Sequence, residues 1–259
     1  EMLRSLVGSE MCIRDRKVYT VDCNGGGDFR TIQACFDALP SKPAEWRTVR
    51  IMPGVYREKV TLDVYKDKVR ILGDEMAETR IVWGDYAGKV VDGRELTTYD
   101  SYTMSVQADD VYLDCLTVEN DAGRVGQAVA VQCLADGLHF IGCRFLGNQD
   151  TLYLYASGNR DGETVEENAR MRFDGCYVEG TTDFIFGAAS ALFRRCEIRS
   201  LADSYVTAAS TCRGQSCGLI FEECRLTAAP GVTRCYLGRP WRDYAQTCLL
   251  YTSPSPRDS

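Results

Sequence analysis

Leu138-His-Phe-Ile-Gly-Cys-Arg-Phe145 is echoed 33 residues later by Met171-Arg-Phe-Asp-Gly-Cys-Tyr-Val178. Around each cysteine an apolar residue stands at −5, an aromatic at −3 and a further apolar residue at +2. Side chains alternate along a strand, so −5 and −3 share one face, and 0 and +2 share another. The change of parity between −3 and 0 calls for a corner. Each copy therefore reads as two short strands joined at a bend.

The frame extends in both directions, to Tyr112-Leu-Asp-Cys115 before it and to Phe193-Arg-Arg-Cys196 and Phe221-Glu-Glu-Cys224 after it. Ile198 and Leu226 repeat the apolar +2 position. The five cysteines are 28, 33, 20 and 28 residues apart. Self-similarity at such a period marks a solenoid, in which each coil buries its apolar side on its neighbours. The units are short and alternating, which argues against helical repeats. The fold expected is all-β, a right-handed single-stranded parallel β-helix with interior ladders of Phe and Cys. The polar stretch Ser157 to Arg170 reads as a loop that lengthens one coil to 33 residues.

Composition narrows the chemistry. The chain has 259 residues with 30 Lys+Arg against 37 Asp+Glu, a net charge of −7. An acidic balance without a basic face speaks against nucleic-acid binding. No stretch approaches the roughly 18 apolar residues of a membrane span. Of the 13 cysteines five share the repeat frame rather than a metal spacing, and a buried free thiol packs as a small hydrophobe. Cys212-x4-Cys217 with Cys224 and Cys235 lacks the C-x2-C spacing of a zinc site. His139 is the single histidine, so multi-His metal centres are excluded and His-based catalysis has little to work with. No metal and no cofactor are expected. No Gly-x-Ser-x-Gly elbow is present, which leaves a serine hydrolase without support.

Both ends look foreign to the repeat. Residues 1–16 and 249–259 resemble translated adapter sequence and are set apart as non-native tails. The domain expected is 17–248, with C-terminal coils and a cap expected to be missing.

The repeat places two carboxylates together. Asp150 lies seven residues after Cys143 and Asp183 seven after Cys176, so they occupy one slot on adjacent coils about 4.8 Å apart. Two carboxyls that close cannot both ionise cheaply, which separates their pKa values and makes an acid/base pair. Asp203 holds the same slot on the next coil, so register alone does not single out the pair. Gln127 and Gln149, 22 residues apart, offer amide donors for a developing oxyanion.

Five segments resemble the signature blocks of the pectin methylesterase (pectinesterase) family. They are Gly54-Val-Tyr-Arg-Glu58, Gln127-Ala-Val-Ala-Val131, Gly147-Asn-Gln-Asp-Thr-Leu-Tyr153, Gly180-Thr-Thr-Asp-Phe-Ile-Phe-Gly187 and Leu237-Gly-Arg-Pro-Trp241. The resemblance implies a parallel β-helix and hydrolysis of galacturonate C6 methyl esters to pectate and methanol. It assigns Asp183 as nucleophile, Asp150 as acid and then base, Gln127 and Gln149 as the oxyanion hole, and Arg239 as the partner that keeps Asp183 ionised. It also places Trp241, Tyr153 and Phe186 in the groove against sugar rings. Tyr56 and Glu58 are expected to organise an early turn, and His139 to be structural. The partner implied is methyl-esterified homogalacturonan, met by a monomer. The family resemblance implies an extracellular or cell-envelope protein, whereas the unpaired cysteines lean towards a reducing interior. The alternative reading is a non-catalytic or repurposed β-helix that binds polygalacturonate or cleaves another ester.

Overall fold

The computed structural model describes residues 18–156, 169–211 and 215–241. The two proposed tails, most of the Ser157–Arg170 loop, and Cys212 lie outside them; Arg170 itself opens a strand, Arg170–Asp174. Among the described residues the chain winds into three parallel sheets of eight, seven and seven strands. After the first strand, Val18–Val21, each coil contributes one strand to each sheet, as in Leu138–Ile141, Arg144–Leu146 and Leu152–Leu154. This is a parallel β-helix.

The expected slots fill the interior. Phe140, Phe173, Phe193 and Phe221 are consecutive register partners. Their rings stack at 4.5, 4.4 and 5.0 Å. The Cys143, Cys176, Cys196 and Cys224 thiols each donate to a backbone carbonyl one coil back, at 3.2–3.4 Å. Burial pushes the Cys143 thiol up to about 12, so it stays protonated and inert. The corner between −3 and 0 is a left-handed residue at −1: Gly142, Gly175, Arg195 and Glu223 have φ of 55°, 61°, 52° and 53°.

Two sequence assignments shift. Cys115 is not a member of the cysteine ladder. Register pairs Leu113, not Tyr112, with Phe140, and Val118 with Phe145, so the buried Leu116 takes the slot. Cys115 is itself the corner residue, exposed and at φ 54°. Asp203 likewise leaves the Asp150–Asp183 slot. Ile185 pairs with Thr207, so the rung after Asp183 holds Tyr205, because that corner is two residues longer. Asp203 instead caps a loop by accepting from the Thr233 and Arg234 N–H groups.

A short helix, Ile32–Ala38, covers the first coils. Glu58 is its clamp, accepting from the Ile32 and Gln33 N–H groups at 3.0 and 3.1 Å. Tyr56 donates its hydroxyl to the Val21 and Met52 carbonyls. Both residues therefore organise the start of the solenoid, Glu58 through the helix rather than a turn. His139 meets Asp174 at 2.6 Å on the outer face of the eight-stranded sheet, alongside Arg172. A side-chain ladder also runs along the coils. Asp67 accepts from the Asp109 N–H, Asp109 from Asp136, and Asp136 from Arg170. On the last described coil Ile220, Leu226, Tyr236 and Leu237 are exposed.

Candidate active site

The site lies on the outer face of the third sheet. Its outward ladder runs Thr61, Ser105, Gln132, Tyr153, Phe186, Ala208, Arg239, one residue per coil. Tyr153, Phe186 and Ala208 are buried in a cluster separate from the solenoid interior, with Trp241 packed on it. Tyr153 stacks on Phe186 at 4.8 Å, and Phe186 meets Trp241 edge to face at 5.6 Å. Ala208 interrupts this row, and the missing bulk leaves a hollow above it.

That hollow is a cleft lined by Thr98, Tyr99, Gln127, Gln149, Asp150, Asp183, Phe186, Ala208, Arg239 and Trp241. Seven of the eight residues singled out in the sequence meet there. The eighth, Tyr153, does not line the cleft but packs between Tyr99 and Phe186. Thr98, Tyr99 and Ala208 were not singled out. The first two come from a 3₁₀ turn, Thr98–Asp100, in a segment without repeat character, and an alanine carries no chemical signal.

Asp150 and Asp183 sit at equivalent corners of adjacent coils. Both are left-handed, at φ 68° and 49°, a conformation that Asp tolerates better than most residues. The backbone ties them together: the Asp150 N–H donates to Thr182 O at 3.2 Å, and the Asp183 N–H to Tyr205 O at 2.8 Å. Local sequence enforces the geometry. A Cβ on Gly187 would stand 2.1 Å from Leu154 O, at φ 124°, so the strand after Asp183 approaches its neighbour only because position 187 is glycine. Gln127 and Gln149 form an isolated parallel bridge, Gln149 directly before Asp150 and Gln127 one coil back.

The two carboxyls differ in environment. Arg239 donates Nε to both Asp183 oxygens at 2.9 and 3.1 Å, and Nη2 to Oδ2 at 2.5 Å. Asp150 is 7% exposed, and its carboxyl has no hydrogen-bond partner among the described residues. Burial first, and the Asp183 charge second, push its pKa up to about 7, with Arg239 pulling the other way. Near neutrality one carboxyl is paired with a cation and the other holds a proton for much of the time. Among the described residues no group of three His, Cys, Asp or Glu side chains is placed to hold a metal ion.

The pectinesterase family model matches residues 18–255, and the chain belongs to the pectinesterase family. It is 35% identical to pectinesterase QRT1 of Arabidopsis thaliana over 90% of this chain and 60% of that one. It is 31% identical to Arabidopsis pectinesterase 31, over 91% of this chain and 73% of the relative. Carrot pectin methylesterase superposes with a TM-score of 0.75 at 30% identity, covering 87% of this chain and 70% of that structure. Pectin methylesterase PemA of Erwinia chrysanthemi gives 0.75 at 27% identity, covering 86% and 70%. The chain thus spans about 60% of the length of the first of these relatives.

Proposed function

We propose that this chain hydrolyses the C6 methyl esters of galacturonate in methyl-esterified homogalacturonan, giving pectate and methanol. The observation that carries the reading is the meeting of Gln127, Gln149, Asp150, Asp183 and Arg239 in one cleft beside an aromatic wall. Related pectin methylesterases have been crystallised with hexasaccharides, which supports an oligosaccharide in this groove.

In this reading the Asp183 carboxylate attacks the ester carbonyl, aimed by the Arg239 fork. The Gln127 and Gln149 amides stabilise the oxyanion of the tetrahedral intermediate. Collapse breaks the bond to the methoxy oxygen, and Asp150 gives that oxygen its proton, releasing methanol. A mixed anhydride joins Asp183 to the sugar. Asp150, now a carboxylate, takes a proton from water, and the hydroxide attacks the sugar carbonyl. Asp183 leaves as carboxylate, Asp150 is again protonated, and the new uronic acid loses its proton to solvent. Phe186 and Trp241 offer the apolar faces on which sugar rings rest.

Methanol release from highly methylated pectin, parent against Asp183→Asn, tests this. Release by the parent and loss of about 10⁴-fold or more in the folded variant is expected for a missing nucleophile. A folded parent that releases no methanol yet retains polygalacturonate would support the binding-module alternative instead.

A further inference from the structure

One wall of the cleft is not part of the regular coils. Residues 84–103 leave the solenoid after the strand Thr79–Trp83, form a small hairpin and return to the strand Met104–Val106. This arm carries Thr98 and Tyr99 into the cleft. A polar cluster, buried at Asp85 and Asn120 and half-buried at Lys59 and Lys89, holds both of its ends and plays no part in the chemistry above. The Asp85 carboxylate, 5% exposed, accepts from Lys59 Nζ and Lys89 Nζ, each at 2.8 Å. Lys59 also donates to Asp100 O at 2.5 Å and lies over the Tyr102 ring, so one ammonium joins the root of the arm to its returning limb.

Asn120, 3% exposed, completes the clamp. Its Nδ2 shares its two N–H groups among Asp85 O, Ser101 O and Val129 O, at 2.9–3.0 Å. One amide thus joins both ends of the arm to the segment that follows Gln127. The same segment is held twice more: the Ala87 N–H donates to Gln127 O at 2.9 Å, and the Val129 N–H to Ser101 Oγ at 3.1 Å.

We propose that Asp85, Lys59, Lys89 and Asn120 are positioning residues, which set the backbone of Gln127 and the Tyr99 wall relative to the Asp150–Asp183 pair. The cluster touches none of the reacting atoms; it acts through Gln127. Two lysines on one buried carboxylate are an expensive arrangement unless every group is satisfied, and here each group also ties a piece of backbone that lines the site. The catalytic part of this inference rests on the esterase reading; the mechanical part does not.

The test uses the full chain and the near-isosteric Asp85→Asn, with Lys89→Met as the second variant should the first fail to fold. Because a misplacement of about 1 Å away from the chemistry can cost ~10²-fold, kcat for methanol release is expected to fall at least about tenfold, with KM moving less. Amide hydrogen exchange should quicken within 84–103 and 127–130 and stay unchanged in the other coils. Asp136→Asn, which breaks the distant Asp136–Arg170 contact, serves as a control that lowers Tm and leaves kcat unchanged. Parent-like kcat in the Asp85 variant, or faster exchange spread over all coils, overturns the proposal. A parent that releases no methanol sinks the esterase reading alone. The exchange pattern then still decides, because unchanged protection at 127–130 overturns the positioning role and a local loss supports it.

Discussion

Arg239 reaches Asp183 from two strands along the sheet, forks onto its carboxylate, and leaves the Asp150 carboxyl, one coil away on the other side, with no hydrogen-bond partner among the described residues. The asymmetry follows from the register that pairs Ala208 with Arg239 and Tyr153 with Phe186. A planar guanidinium presents a fixed fork of N–H groups to the two carboxylate oxygens, which an ammonium, a compact point charge, lacks. Arg239→Lys is therefore expected to keep the charge and lose the aim. Steady-state assays should show kcat for methanol release reduced at least about tenfold, with the fold intact by circular dichroism.

The pH profile should follow Asp150. As the proton donor it is competent below about 7, so the rate constant of the methanol-releasing step is expected to fall as pH rises through that value. Stability carries the same sign. Between the ordinary carboxylate range and about 7 the folded protein holds a proton that the unfolded chain has released, so stability declines as pH rises through this window. Asp150→Asn cannot titrate. Its advantage over the parent should be absent at pH 4 and reach about 2–4 kcal/mol at pH 8, read from urea melts at the two pH values.

Gln127 and Gln149 face the cleft from bridged positions on neighbouring coils. Loss of one oxyanion donor costs ~10²–10³ in kcat elsewhere, and each Gln→Ala variant should fall in that range with little change in KM. A drop in binding without a drop in kcat would remove them from the oxyanion hole.

Much of this was legible in the residues, and the failures have physical causes. Asp150 and Asp183 could be paired from spacing because both corners take seven residues from a cysteine that itself sits on a rung. The same arithmetic misplaced Asp203, since the corner leading to Tyr205 is two residues longer and an insertion in a turn leaves no mark on the flanking pattern. Cys115 misled because an aromatic happens to precede it by three, while the buried side chain is its neighbour Leu116. Ala208 contributes by being small. The Asp85 cluster joins residues 26 and 35 positions apart, across an arm outside the repeat, so no period reveals it.

The interior stack gives a stability test independent of function. Phe173 lies between Phe140 and Phe193 and touches Phe145 edge to face. Phe173→Ala should cost about 3–5 kcal/mol by creating a cavity that neighbouring coils cannot close, measured as a shifted urea midpoint.

The unequal protonation of the aspartate pair is the centre of the account, and carbon-13 NMR of aspartate-labelled protein reads it directly. The parent should show one carboxyl carbon titrating near 7, absent from Asp150→Asn and retained in Phe173→Leu. If every carboxyl in the folded parent titrates below about 5, the division between a paired Asp183 and a proton-bearing Asp150 is wrong.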